Sequence, residues 1–296
     1  MLIDHLSIIG VGLIGGSLAR ALRKAKLVNR VTGCNRCEET LIKAVELDVI
    51  DDYSLNINEA VAGADVVVIG TPLATTKKLL PQIAESLKPG AVLTDVGSAK
   101  GSVVNTARQV MGDQFARFVP GHPIAGTEKS GVEASFAELF IDHRVILTPL
   151  EETDDKAHKL ITGMWQAVGA EVIDLDVKHH DDVLAATSHL PHMLAYALVD
   201  CLAGLQESDE IFKYAAGGFA DFTRIASSSP EMWHDICFSN RDALLKSLEL
   251  FSEHINQIKD AIEKSDSERL LEIFKRAKQA RDKFAKYRNQ LDNNTE

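Results

Sequence analysis

The sequence predicts a doubly wound α/β domain over residues 1–177, followed by an all-α domain over residues 178–296. Three observations carry this reading. A glycine-rich turn, Gly10-x-Gly12-x-x-Gly15, joins a short apolar run to a helical pattern. Apolar runs of strand length then alternate with helical stretches as far as residue 177. From His179 onward the periodicity is helical, with almost no strand candidates.

The first strand spans 6–10, where Leu6, Ile8 and Ile9 make a buried parallel run. Leu18, Ala19 and Leu22 carry the helix that follows the glycines. Further strands are expected at 30–34, 66–70, 91–95, 117–120, 144–149 and 171–175. Val66–Gly70 and Ala91–Asp95 have the unbroken apolar character of strands buried on both faces. A helix over Thr75–Leu87 lies between them, closed by Lys88-Pro89-Gly90. In the second half, Val183–Leu205, Arg241–Lys264 and Glu268–Leu291 read as long helices. Ser265-Asp266-Ser267-Glu268 supplies a polar cap and first-turn acids for the last of them, and the tail Asp292–Glu296 is expected to fray. Phe115, Phe136, Phe140 and Met164 are expected in the core.

The chain is 45% hydrophobic and 25% charged, as for a globular protein with a sizeable core, and no apolar run reaches membrane-spanning length. The first residues lead straight into a strand, so no leader is expected. Cys34, Cys37, Cys201 and Cys237 form no disulfide framework, which fits a cytoplasmic protein with reduced thiols. Cys34 and Cys37 match CxxC, but no second Cys/His pair stands at zinc spacing. A net charge of −11 argues against nucleic acid as a partner. It also means that an anionic substrate needs locally placed cations.

The glycines have separate tasks in a Rossmann-type dinucleotide turn. Gly10 permits the tight turn, Gly12 lets backbone approach a pyrophosphate, and Gly15 allows close helix–strand packing. Leu13 and Ile14 sit at the helix start, where free N–H groups face phosphates. Such folds place an acid on the adenosine ribose about 20 residues further on. Here that place holds Asn35 and Arg36. Asparagine does not repel a 2′-phosphate and Arg36 can pair with one, so the reading leans towards NADP+ within NAD(P)+. In the alternative, Asn35 bonds the ribose hydroxyls and Arg36 is merely a surface residue.

Ligands of open α/β sheets sit beyond the carboxyl ends of the strands. Thr71-Pro72, Val96-Gly97-Ser98-Ala99-Lys100 and Gly121–Gly131 follow three of these ends. The last has three glycines, two flanking prolines and no periodicity, and reads as a structured loop. It carries His122, suited to proton transfer near neutral pH, together with Thr127, Glu128 and Lys129. His179-His180-Asp181-Asp182 reads as the solvated first turn of a helix; adjacent positions do not share a helix face, so a metal site is rejected.

Gly10–Ser17, Val96–Lys100 and Gly121–Gly131 resemble the prephenate dehydrogenase family of tyrosine biosynthesis. Ser188-His189-Leu190-Pro191-His192, Phe219–Ala226 and Met232-Trp233 extend the resemblance over essentially the whole chain. It implies a Rossmann domain, a helical dimerisation domain giving a homodimer, and an active site in the cleft between them. The implied reaction is NAD(P)+-dependent oxidative decarboxylation of prephenate to 4-hydroxyphenylpyruvate. His122 matches the catalytic histidine, a base for the ring hydroxyl. Ser98 matches a serine that orients that histidine and the cofactor, its alternative being a helix N-cap. Arg224 matches the substrate-binding arginine, whose fork suits a carboxylate. His192 is placed on the substrate ahead of His189, with Ser188 beside them. Thr127 and Glu128 are candidates for shaping the pocket, and Trp233 either walls it or packs in the core.

The apolar stripe Leu244, Leu245, Leu248 and Phe251 agrees with a helical dimer interface. No regulatory extension is expected. Arogenate dehydrogenase is the first alternative, since the same histidine chemistry serves it. A related imine reductase or β-hydroxyacid dehydrogenase is the second, though the latter usually wants a catalytic lysine in the helical half. A non-catalytic nicotinamide-nucleotide sensor is the third, and it leaves His122, Ser98 and Arg224 without a common purpose.

Overall fold

The computed structural model describes residues 3–127 and 129–293. The nucleotide half runs β1 (Ile3–Ile9), α1 (Leu13–Lys24), β2 (Val28–Cys34), α2 (Glu38–Glu46), β3 (Asp52–Tyr53), α3 (Ile57–Val61), β4 (Val66–Ile69), α4 (Leu73–Ser86), β5 (Val92–Asp95) and α5 (Gly101–Val110). It continues through β6 (Phe118–Val119), β7 (Gly121–Pro123), β8 (Arg144–Leu147), α6 (Asp155–Gln166) and β9 (Glu171–Asp174). The helical part comprises α7 (Val177–Leu184), α8 (Leu190–Ala203), α9 (Ser208–Lys213), α10 (Gly217–Thr223), α11 (Pro230–Ser239), α12 (Arg241–Glu263) and α13 (Ser267–Asn293).

Six strands form one parallel sheet in the order β3-β2-β1-β4-β5-β6. This is the doubly wound order, with the direction of winding reversing between β1 and β4. Alternation along each strand sorts side chains to two cores. Leu6, Ile8, Val66 and Val68 pack with Leu18 and Leu22 of α1 on one face. Ile9, Val67, Ile69 and Leu93 pack with Leu80 and Ile83 of α4 and Val103 of α5 on the other. Period-2 alternation thus divides even the fully apolar strands.

At the reversal point Gly10 has φ +98°. A β-carbon there would lie 2.7 Å from the carbonyl carbon of Gly70 at the end of β4. Gly10→Ala is therefore expected to cost about 1–3 kcal/mol from the left-handed backbone alone. The clash adds to that, and thermal unfolding of the variant measures the sum.

The structure departs from the sequence expectation in several places. Strands β8 and β9 leave the main sheet and join β7 in a separate three-stranded sheet, antiparallel between β7 and β8. His122 consequently sits on a short strand rather than in a loop, paired with Ile146. A three-residue strand that ends in proline and follows another is too short to show a period. The two-residue strand β3 escaped the sequence reading for the same reason. Val183–Leu205 is not one helix: a π-helical turn over Ala185–His189 separates α7 from α8. Phe136 is 38% exposed, whereas Phe115, Phe140 and Met164 are buried as expected.

The chain divides into two compact units, Met1–Leu244 and Leu245–Glu296. The first holds both sheets and α1 to α11 together with the start of α12; the second holds the rest of α12 and α13.

Candidate active site

The start of α1 is shaped for a dinucleotide. Among the described residues no side chain caps it and its first turn carries no acid, so none of them competes for its first amides. A β-carbon on Gly12 would meet nothing within 4 Å, which leaves an open approach to the backbone. Gly15 is held the other way: a β-carbon would lie 2.8 Å from the Gly10 carbonyl oxygen. Asn35 follows β2, half-buried, and its Oδ1 accepts from the backbone N–H of the exposed Arg36 at 2.8 Å. Thr71 follows β4, its hydroxyl 2.9 Å from that of Thr76, and exposed Pro72 caps α4. These features fit the phosphates and ribose of a nicotinamide nucleotide.

His122 is the middle residue of β7, in the three-stranded sheet. Its Nδ1 lies 2.9 Å from Nε2 of His180, and His180 Nδ1 lies 2.8 Å from Oδ1 of Asp181. The two rings meet edge to face with centroids 5.2 Å apart. His180 is fully buried and Asp181 is 9% exposed, so His179–Asp182 is not a solvated turn. His180 shares the buried face of α7 with Leu184, four residues on. Burial pushes Asp181 up, but bonds from His180 and from the backbone N–H groups of Lys100 and Gly101 outweigh it and hold its carboxyl below the usual range. Burial holds His122 well below an ordinary histidine, aided by His180, Lys100 and His189. The base candidate is therefore neutral at pH 7.

Lys100 is fully buried and forms an ion pair with Asp95 at the end of β5. Its Nζ also donates to the Gly121 carbonyl at 2.7 Å, immediately before His122. Asp95 in turn accepts from the amides of Gly97 at 2.9 Å and Gly121 at 3.2 Å. This clamp ties the β5–α5 loop, which carries the half-buried Ser98, to the start of β7. Ser98 does not cap α5: that helix begins at Gly101, and Asp181 takes the amides at its start.

The π turn and α8 supply the other histidines. His192 stacks on Trp233 of α11 with centroids 3.6 Å apart. Its Nδ1 donates to the Ser188 carbonyl at 2.8 Å, so Nε2 is left as the acceptor nitrogen. Burial lowers His192, and the Arg224 guanidinium adds to the shift, which places the exposed Arg224 within electrostatic reach. Buried His189 takes a bond from Asn240, whose amide also donates to the Asp181 carbonyl at 2.7 Å. Trp233 Nε1 is buried with no hydrogen-bond partner among the described residues. Thr127 is exposed and its hydroxyl is tied to the Lys129 backbone, and among the described residues no hydrogen bond joins it to the histidines. Glu128 lies outside the described residues.

His180, Asp181, Lys100, Asp95 and Asn240 were missed as site residues. The available signal was the spacing of His180 and Leu184 on one helical face. Lys100 and Asp95 gave none, because nothing local marks a lysine that will be buried.

Burial lowers His189 to about 4. The unfolded chain therefore binds a proton that the native state refuses at pH values between about 6.5 and 4. The His189 contribution to stability is full above pH 6.5 and falls by about 3 kcal/mol as pH drops through that window. Urea unfolding at pH 7 and pH 5 measures the loss, and His189→Gln should remove the His189 share of it while that of His122 and His192 remains.

Two family models cover most of the chain. The prephenate dehydrogenase nucleotide-binding domain matches residues 18–174, and the prephenate dehydrogenase dimerization domain matches residues 176–276. The cyclohexadienyl dehydrogenase of Zymomonas mobilis is 38% identical over 94% of this chain and 94% of its own length. The prephenate dehydrogenase of Bacillus subtilis is 38% identical over 94% of this chain and 76% of its own length. A crystal structure of prephenate dehydrogenase from A. aeolicus, with hydroxyphenyl propionate and NAD+, covers 96% of this chain and 99% of its own at 38% identity and a TM-score of 0.89. Matched in both halves and built around a dinucleotide turn, the chain belongs to the prephenate dehydrogenase family of nicotinamide-dependent oxidoreductases.

Proposed function

We propose that this protein is a cytoplasmic homodimeric prephenate dehydrogenase that converts prephenate to 4-hydroxyphenylpyruvate, with NADP+ preferred. The observation that carries the reading is the neutral His122, held through Nδ1 and left with Nε2 for a substrate hydroxyl. The nicotinamide ring supplies the hydride acceptor. As hydride leaves the carbinol carbon, His122 Nε2 takes the hydroxyl proton. Loss of CO2 sends the bond's electron pair into the ring, and the phenolate oxygen takes the proton back from His122. Arg224, with His192 beside it, answers the need for a local cation in a chain of net charge −11. Ser98 is assigned to orienting His122 and cofactor, and Thr127 and Glu128 to the substrate loop.

Residues 1–177 are assigned to the nucleotide and 178–296 to substrate and dimerisation. Exposed Leu250, Ile255 and Ile262 on α12 support a second copy covering that helix. The name of the Z. mobilis relative favours arogenate as a second substrate.

Four assays, prephenate or arogenate with NAD+ or NADP+, followed by absorbance of the reduced nicotinamide, test the reading. Turnover with prephenate and NADP+ should be fastest; none in any mixture sinks the proposal. Arg36→Ala should raise KM for NADP+ about tenfold or more, the loss of one charge-assisted contact, and leave NAD+ unchanged.

A further inference from the structure

We propose that Asp181 and His180 form a relay that fixes His122 in the tautomer with a bare Nε2, making His180 a positioning residue for the base. The inference rests on His122 being that base, but its argument comes from hydrogen-bond polarity alone.

Asp181 is an ionised acceptor: Oδ1 takes the Lys100 N–H at 2.8 Å and Oδ2 takes the Gly101 N–H at 2.8 Å. It has no proton to give, so the bond to His180 at 2.8 Å must come from a proton on His180 Nδ1. A neutral His180 then presents a lone pair at Nε2. The 2.9 Å contact to His122 requires one donor, and His122 Nδ1–H supplies it. A neutral imidazole carries one such proton, so His122 Nε2 is unprotonated.

Two further features serve this chain of bonds. Asp181 is anchored by amides of the β5–α5 segment, and a β-carbon on Gly101 would lie 2.9 Å from its Oδ2. The Asn240 amide holds the Asp181 carbonyl at 2.7 Å. When the substrate proton arrives on His122 Nε2, the imidazolium faces an acceptor at Nδ1, and the Asp181 charge lies one ring beyond. A proton taken up by the ring pair beforehand has the opposite effect. It makes His180 a donor and turns His122 Nδ1 into the acceptor, with the proton on Nε2. The acid limb of the rate then follows His122, which burial, His180, Lys100 and His189 together hold well below the ordinary histidine range.

The test uses the full-length enzyme with labelled histidine. Long-range proton–nitrogen spectra at pH 7.5, assigned with His122→Asn and His180→Leu, should show His122 protonated at Nδ1 and bare at Nε2. In His180→Leu the His122 signal should become a mixture of tautomers. With prephenate and NADP+, His180→Leu should lower kcat by about 10²-fold with KM little changed, and shift the acid limb. His180→Gln should restore most of the rate, because its amide both donates to Asp181 and accepts from His122. A His122 protonated at Nε2 in the native enzyme overturns the relay without touching the fold. So does a folded His180→Leu enzyme with native kcat and pH profile while His122→Asn is inactive. Full activity of His122→Asn removes the base assignment itself.

Discussion

Replacing His122 with asparagine is expected to lower kcat by about 10²–10⁴-fold while the nicotinamide nucleotide still binds. The ring is the one group on β7 placed to take a proton, and its Nδ1 is already committed to His180. Asparagine can keep a polar contact but has no basic nitrogen. Steady-state kinetics together with nucleotide titration by fluorescence separate the two effects. The pH profile follows from the same environment. Burial, the His180 and His189 rings and the Lys100 charge all lower His122, so the base stays unprotonated below the usual histidine range. The native kcat/KM should therefore stay level from neutral pH down past 6.5, and bend only at more acid values. An acid limb centred at or above 6.5 would contradict this environment.

Lys100→Met should destabilise the fold by about 3–5 kcal/mol, the usual cost of removing one partner from a buried ion pair. The lysine has no exposed surface, and burial lowers its pKa against the opposing pull of Asp95 and Asp181. Without it the Asp95 carboxylate is left in the interior with only the Gly97 and Gly121 amides. The Gly121 carbonyl also loses its donor. Adding Asp95→Asn should recover part of the loss, because the stranded charge is then gone. Guanidinium unfolding of the single and double variants gives the coupling. If the single variant is as stable as the native chain, the pair is not the clamp that its burial implies. The same change should reduce kcat, since the clamp fixes the start of the strand that carries His122.

Much of this architecture was readable without coordinates. Strands β1, β4 and β5 showed as largely apolar runs because central parallel strands are buried on both faces. The dinucleotide turn was readable because the first and third of its glycines meet steric demands that other residues fail. Gly10 and Gly15 meet atoms 2.7 and 2.8 Å from their missing β-carbons. The break inside Val183–Leu205 was not readable, since a π turn has the same composition as the helix it interrupts. Nor was β7, whose pairing with β8 depends on residues more than twenty positions away.

Sequence alone determined the fold class, the nucleotide turn and the family, and it singled out His122 as the candidate base, because each rests on local spacing or on a contiguous motif. Tertiary structure alone decided how that base is held. His122 and His180 are 58 positions apart, and Lys100 N and Asp181 are 81 apart. Their burial reverses what the residue types suggest on their own. A row of two histidines and two aspartates reads as a wetted helix start until packing turns its middle pair inward. Once water is excluded, buried donors and acceptors gain by pairing, and that converts an ordinary polar run into the support of the candidate base.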